Sequence, residues 1–475
     1  MMLIYLIGSL LLVLALALNR KKWINYGLVG LYLILLWALT IFAAFHINET
    51  DLTYFTFDAL GVLLLIILSI IAVPAMIHSK IYVEQHQETG GVRAIYFVSI
   101  VGLITAIGAG YLANHIAVTW IFAEITTLSA SALIYHHRNK LALEGTWKYV
   151  FIGAISITFV FIGILFLSLA IHQTGSGNLS YSSLYRNAPS INPFWLQLAF
   201  LFIFTGYTVK LGLVPMFTAG VDAKDKAPAP AAALLSSVLM NLGFVGVFRV
   251  YTVLSNSSLH HWVNLVIGIA AFLSLFVATV YMLKVKNIKR MLGYSSIEHM
   301  ALVMLGVAAG GIGYYAAILH IVLHALVKSS LFFQFNQIYR VYKSKSIYQV
   351  GNYIKYNPTG ALVLLFGFIS ATAMPPSGLF VSEFLIFRSL FQAHQLWLLL
   401  VVLILLTMII WAFGKNVFKI LFTPPVGFDD THVPIINPIE SVSQFVLLAL
   451  AMYLGLNPPA EFVHLIEESL TLLPQ

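Results

Sequence analysis

The sequence predicts an all-α polytopic membrane protein of about fourteen transmembrane helices, built from two inverted five-helix repeats with helices 7 and 12 broken. Three observations predict it. Of the 475 residues, 60% are apolar and only 9% charged, where an ordinary soluble domain is roughly one quarter charged. Apolar runs of roughly 18 to 25 residues, each able to cross a ~30 Å hydrocarbon layer, recur from the first residues to residue 456. Ionisable residues inside those runs recur at nearly one offset, and the proline breaks fall in corresponding places, as set out below.

The runs cover 2–18, 24–46, 57–78, 93–113, 116–136, 148–171, 194–222, 229–254, 261–283, 293–309, 312–337, 359–393, 395–421 and 436–456. The first, in MMLIYLIGSLLLVLALALNRKKW, has the apolar core of a signal peptide but no basic leading region and no small-residue cleavage site, so it reads as a span. Asp58 opens the third and is placed to cap it; a share in the Glu124 site described below is the alternative. Glu144 and Lys148, four residues apart at the start of the sixth, read as an ordinary helical ion pair. The runs 194–222 and 359–393 are too long for one straight crossing. Each holds proline in mid-pattern, Pro215 in one and Pro375 with Pro376 in the other. Proline has no N–H and crowds the preceding turn, so both helices are expected to break there. Asp222, Lys224, Asp225 and Lys226 read as a solvated loop.

A net charge of +8 would suggest nucleic acid in a soluble protein. Here all but five of the 25 Lys and Arg residues sit in alternate loops, the exceptions being Arg186, Arg249, Arg388, Lys210 and Lys328. By the positive-inside rule those loops are cytoplasmic and both termini lie on the outer side. The lipid bilayer is therefore the partner that the charge implies, and nucleic acid is not. The absence of cysteine excludes disulfides, thiolate-held zinc and cysteine-ligated iron–sulfur clusters on this chain. No P-loop, dinucleotide fingerprint, HExxH site or nucleophile elbow occurs. The chain is expected to carry no catalytic centre, cofactor or metal, and linked redox chemistry would belong to other chains.

Glu124 and Glu298 are 174 residues apart, Lys210 and Glu383 are 173 apart, and the proline breaks fall in corresponding places. This divides the chain into helices 1–3 (residues 1–92), a first five-helix repeat (93–255, helices 4–8), a second (256–422, helices 9–13), and helix 14 with a short tail (423–475). Five crossings reverse the sense of the chain, so the second copy is inverted, an arrangement that places ion sites at broken helices.

A charge in hydrocarbon costs at least ~2.5–3.5 kcal/mol on insertion scales, so each ionisable residue inside a run needs a reason. Glu124, in the middle of the fifth run, and Lys210, five residues before Pro215, make a first pair. Burial and the lysine's charge act on the carboxylate in opposite senses, so a small movement can switch its protonation; a static salt bridge is the alternative. His320, His324 and Lys328 follow one another at i, i+4 spacing, which lays them along one helix face at ~6 Å intervals. Histidine accepts a proton at one ring nitrogen and donates from the other, so this row outlines a proton relay; a ladder of interhelical hydrogen bonds is the alternative. Glu383 follows the second break, where unwound backbone lines water and a carboxylate exchanges protons with it; a helix cap is the alternative. Glu298 and His299, near the cytoplasmic end of the tenth run, fit a solvated or capping role as well as a transport role.

The strings WIFAEITTLSASALIYHHRNKLALEGTWKYVFIG, KAPAPAAALLSSVLMN, NIKRMLGYSSIEHM and LHALVKSSLFF resemble the antiporter-like proton-channel subunits of respiratory complex I, group 4 membrane-bound hydrogenases and multisubunit cation/proton antiporters. Within that superfamily they look nearest to the hydrogenase-4 component F branch. The likeness runs over nearly the whole chain. It implies a fourteen-helix core and a central charged axis, which falls here on Glu124, Lys210, Asn241, His320, His324, Lys328 and Glu383. Asn241 stands where relatives carry lysine or histidine on helix 8; it does not titrate but can orient water. After Pro215 relatives read HxWLPDAHxxAP and this chain reads MFTAGVDAKDKAP, without the usual histidine and tryptophan. The chain also stops soon after helix 14, without the lateral helix of some members.

The resemblance implies a proton-translocating subunit of a redox-driven complex of the hydrogenase-4, formate hydrogenlyase or complex I kind, in the inner membrane of a prokaryotic cell. Its partners would be other antiporter-like and small membrane subunits and a peripheral redox or soluble module, with nickel–iron or iron–sulfur centres on those subunits. The alternative is a cation/proton antiporter subunit or the membrane half of a proton-driven inorganic-carbon uptake system. A scaffold without transport is the third reading.

Overall fold

A computed structural model describes residues 1–475 except 174, 176, 426, 430, 432 and 475. In chain order its helices are α1 (Met2–Leu18), α2 (Lys22–Phe45), α3 (Ala59–Gln85), α4 (Gly90–Leu112), α5 (Ile116–Ile134), α6 (Lys140–His172), α7 (Tyr181–Asn187), α8 (Pro193–Leu211), α9 (Thr218–Lys226) and α10 (Ala229–Ser236). They continue with α11 (Val238–Ser255), α12 (His260–Lys284), α13 (Ile288–Ala309), α14 (Ile312–Tyr342), α15 (Tyr353–Tyr356), α16 (Pro358–Ala371), α17 (Gly378–Gln392), α18 (Leu396–Phe422), α19 (Val442–Leu456) and α20 (Ala460–Glu468). A two-stranded hairpin, β1 (Thr50–Asp51) and β2 (Phe55–Thr56), interrupts the helices. The chain is an all-α polytopic membrane protein: twelve helical segments among the described residues are long and apolar enough to cross a bilayer. α1, with 17 residues, and the pair α16 and α17, with 14 and 15, fall short singly.

In hydrocarbon the first backbone N–H groups of a helix find no water, so the residue before the helix must accept from them. Side chains do so repeatedly: Asp58 accepts from Gly61 N before α3, Asn139 from Ala142 N before α6, Asn287 from Lys289 N and Arg290 N before α13, Asn357 from Gly360 N before α16 and Ser377 from Phe380 N before α17.

Both expected breaks are present. α8 ends at Gly212, whose φ of +81° a residue with a Cβ rarely adopts, and helix resumes as α9 at Thr218. α16 ends at Ala371 and α17 begins at Gly378. The run 229–254 is matched by one membrane-length segment, Ala229–Ser255, in which only Ser237 separates α10 from α11. Its hydroxyl donates to the Ala233 carbonyl, a back-bond that bends helices. Two expectations need correction. The tenth run begins at Ile288, not at residue 293. Asp222, Lys224, Asp225 and Lys226 are helical, in α9, and Lys224 and Asp225 are buried.

The residues form two compact units, Met1–Ala231 with Val238–Val266 and Glu461–Gln475, and Ala232–Ser237 with Ile267–Ala460. In the first, α6 packs along α8 and α5, and α11 packs against α8. In the second, α14 is the central helix, packed by α13, α16, α17 and α19. The most apolar windows of α10–α11, α13 and α14 are wholly buried, whereas only a third of those of α2, α6 and α18 is. The charged residues singled out in the sequence lie mainly on the buried set.

Candidate functional site

In the first unit the site is built at the end of α8. Lys210 lies in the last turn, where free carbonyls favour a cation, and its side chain is 6% exposed. Its ammonium donates to Thr126 Oγ1 at 3.0 Å and Thr127 Oγ1 at 2.7 Å, both on α5, and lies 5.8 Å from the centre of the Tyr149 ring. The two hydroxyls donate back to the Ala123 carbonyl, which leaves their lone pairs facing the lysine. Glu124, two and three residues before these threonines on α5, acts electrostatically on Lys210 and Tyr149. Among the described residues no carboxylate forms an ion pair with the ammonium, so Glu124 faces a lysine held by threonine hydroxyls rather than by a salt bridge. Glu124 Oε2 is buried without a hydrogen-bond partner. Asn241 on α11 is fully buried, and both ends of its amide lack a protein partner; such a group is normally satisfied by internal water. Two residues on, Gly243 lets α11 approach the Lys210 backbone: a Cβ there would lie 2.7 Å from Leu211 N and 2.9 Å from Lys210 Cβ.

In the second unit Lys328 on α14 is fully buried and donates to Ser295 Oγ on α13 at 2.6 Å. That hydroxyl lies 3.5 Å from Glu298 Oε2, and Glu298 acts electrostatically on the lysine. The motif of the first unit thus recurs with one hydroxyl in place of two: a buried lysine held by a neutral oxygen, with a carboxylate acting on it. His299 and His320 are fully buried and 3.0 Å apart, Nδ1 to Nε2, and His320 Nδ1 lies 2.9 Å from Ser382 Oγ on α17. The ring of His324 stands 5.2 Å from that of His299. Glu383 Oε1 is 3.9 Å from His299 Nδ1.

His320, His324 and Lys328 lie at i, i+4 spacing along one face of the continuous helix α14. Their contacts cross to α13, through His299 and Ser295, and to α17. Of the two roles left open for Glu298 and His299, burial inside α13 disfavours the solvated one. Glu383 is not the cap of α17, a role taken by Ser377. Pro215 and the pair Pro375 and Pro376 lie in the non-helical stretches that separate the half-helices.

Asp58 caps α3 and also receives Arg249 Nη2 at 2.8 Å and 2.9 Å. Arg249 further donates to the Tyr111 and Ala113 carbonyls at the end of α4. This ion pair, beside a cavity of about 500 Å³, gives Asp58 a structural partner other than Glu124. Sequence reading missed Arg249 and Lys224. The Lys224 ammonium lies 3.2 Å from Met240 Sδ; four charged residues in α9 masked a segment that α5, α6 and α8 bury.

Residues 113–409 match the model of the NADH:quinone oxidoreductase/Mrp antiporter transmembrane family. The chain is 26% identical over 398 residues to the hydrogenase-4 component F homolog of Methylacidiphilum infernorum (isolate V4), covering 82% of this chain and 83% of the relative. Its fold is similar to that of a chain of the membrane-bound sulfane sulfur reductase, an archaeal respiratory membrane complex, with a TM-score of 0.83 at 19% identity, covering 98% of this chain and 96% of that one. A chain of respiratory complex I from Thermus thermophilus is similar with a TM-score of 0.78 at 19% identity, covering 97% and 98%.

Proposed function

Because the chain belongs to the NADH:quinone oxidoreductase/Mrp antiporter transmembrane family, we propose that it moves protons across the membrane as the antiporter-like subunit of a redox-driven complex of the hydrogenase-4 or complex I kind. One observation carries the reading: two buried lysines are held by neutral hydroxyls, Lys210 by two and Lys328 by one, with a carboxylate acting on each. An ammonium in direct contact with a carboxylate is a locked pair. One held by hydroxyls keeps a lone-pair direction open once it gives up its proton, and the nearby carboxylate sets how readily it does so.

Glu124, Lys210 and Asn241 serve the first unit; His320, His324, Lys328 and Glu383, with Glu298 and His299, serve the second. The His299–His320–Ser382 hydrogen bonds suit proton exchange, since each imidazole accepts at one nitrogen as it donates from the other. We count α1 as one crossing and α16 with α17 as another, which with the twelve long segments makes fourteen. Residues 93–255 and 256–422 are the two inverted repeats, and both termini lie on the outer side of a prokaryotic inner membrane. The redox centres, nickel–iron or iron–sulfur, belong to partner subunits. The family description also names Mrp antiporters, which makes cation/proton antiport the second reading.

Proteoliposomes holding the assembled complex separate the two. Proton uptake that starts only on addition of electron donor supports the redox reading; sodium-dependent proton flux without donor overturns it in favour of antiport.

A further inference from the structure

Three helices of the second unit bring His299 (α13), His320 (α14) and Glu383 (α17) to one point. One ligand atom from each lies within 4.8 Å of the others, with the two nitrogens 3.0 Å apart and His299 Nδ1 3.9 Å from the carboxylate. A tetrahedral zinc ion with bonds of ~2.0–2.1 Å holds its donors about 3.3 Å apart, so side-chain shifts of up to about 1.5 Å bring the three, now within 4.8 Å of one another, into place. The other nitrogen of His320 already has an outer partner, Nδ1 facing Ser382 Oγ at 2.9 Å, while His299 Nε2 has Glu298 Oε2 3.7 Å away, within reach of a small side-chain shift. Metal-binding imidazoles are oriented by outer partners of this kind. Glu383 and Glu298 together supply the two negative charges that a divalent ion needs away from water. Lys328 opposes them, but its ammonium is directed to Ser295.

We propose that His299, His320 and Glu383 bind a divalent transition cation, zinc foremost, with three protein ligands and a fourth position open to water. The bound ion ties α13, α14 and α17 together and takes the nitrogen lone pairs through which His299 and His320 exchange protons. Its blocking effect rests on the proton-carrying reading; its binding does not.

The test uses the purified complex, stripped with chelator, equilibrated with Zn²⁺ and analysed for bound metal, then loaded with Co²⁺ for visible spectroscopy. The expected result is one tight zinc per chain that is absent from His320→Gln and Glu383→Gln, and a low-coordinate cobalt spectrum. Ser382→Ala, which removes only the outer partner, weakens binding about tenfold or more. His324→Gln, whose ring abuts His299 without being a ligand, retains the ion and shows that a substitution on this helix face leaves the site folded. Equal zinc in wild type and His320→Gln, an octahedral cobalt spectrum, or loss of the ion in His324→Gln overturns the site. Zinc that binds as expected yet leaves donor-driven proton uptake unchanged keeps the site and removes the blocking role. Absence of zinc in a complex whose uptake depends on Lys210 and Lys328 removes the site alone.

Discussion

A lysine inside a bilayer costs at least ~2.5–3.5 kcal/mol on insertion scales, and this chain keeps two on buried helices, Lys210 and Lys328. Both were legible in the sequence as isolated charges in apolar runs. What surrounds them was not: Thr126 and Thr127 lie some 83 residues from Lys210, and Ser295 lies 33 from Lys328, separations that helix periodicity does not address. A solvated role for Glu298 and His299 stayed open beside a transport role because their run appeared to start at residue 293; helix from Ile288 carries them more than a turn deeper. Asn241 gives a residue-scale prediction. Asn241→Leu removes a buried amide with no protein partner, so the fold loses little, since exchanging an unsatisfied polar group for an apolar one is near neutral or stabilising. Donor-driven proton uptake is expected to fall several-fold while the thermal midpoint holds. An unchanged rate contradicts a part for Asn241 in proton movement, and an equal fall in stability makes it structural.

At the scale of elements, the breaks in helices 7 and 12 were legible because proline announces them, at Pro215 and at Pro375–Pro376. The single non-helical residue Ser237 between α10 and α11 left no such signal, since only a serine back-bond to Ala233 accompanies it. The charged segment of α9 misled for the converse reason: its composition is that of a loop, while α5, α6 and α8 bury it. The contact of α11 with the end of α8 sets where Lys210 stands. Gly243→Ala puts a methyl group within 3 Å of the Lys210 backbone and Cβ, and overpacking of this kind costs about 1–3 kcal/mol. The thermal midpoint of the complex is expected to fall and proton uptake to fall with it, because the lysine moves off Thr126 and Thr127. Full uptake and stability in this variant contradict the claim that the helix contact positions Lys210.

For the whole molecule, composition alone established the membrane class, and the resemblance placed it in the family that residues 113–409 match. The 173–174-residue offsets pointed to paired sites, and each unit holds one hydroxyl-bound lysine with an adjacent carboxylate. The partners, by contrast, leave no mark in a chain whose charged groups are mostly internal or in short loops. The central claim is that these two lysines carry the proton. It is tested most directly by measuring proton translocation per electron in proteoliposomes of the intact complex bearing Lys210→Ala and Lys328→Ala together, with subunit content and electron transfer followed in parallel. The account predicts an assembled complex that still passes electrons and moves fewer protons for each one. An undiminished proton-to-electron ratio would contradict it.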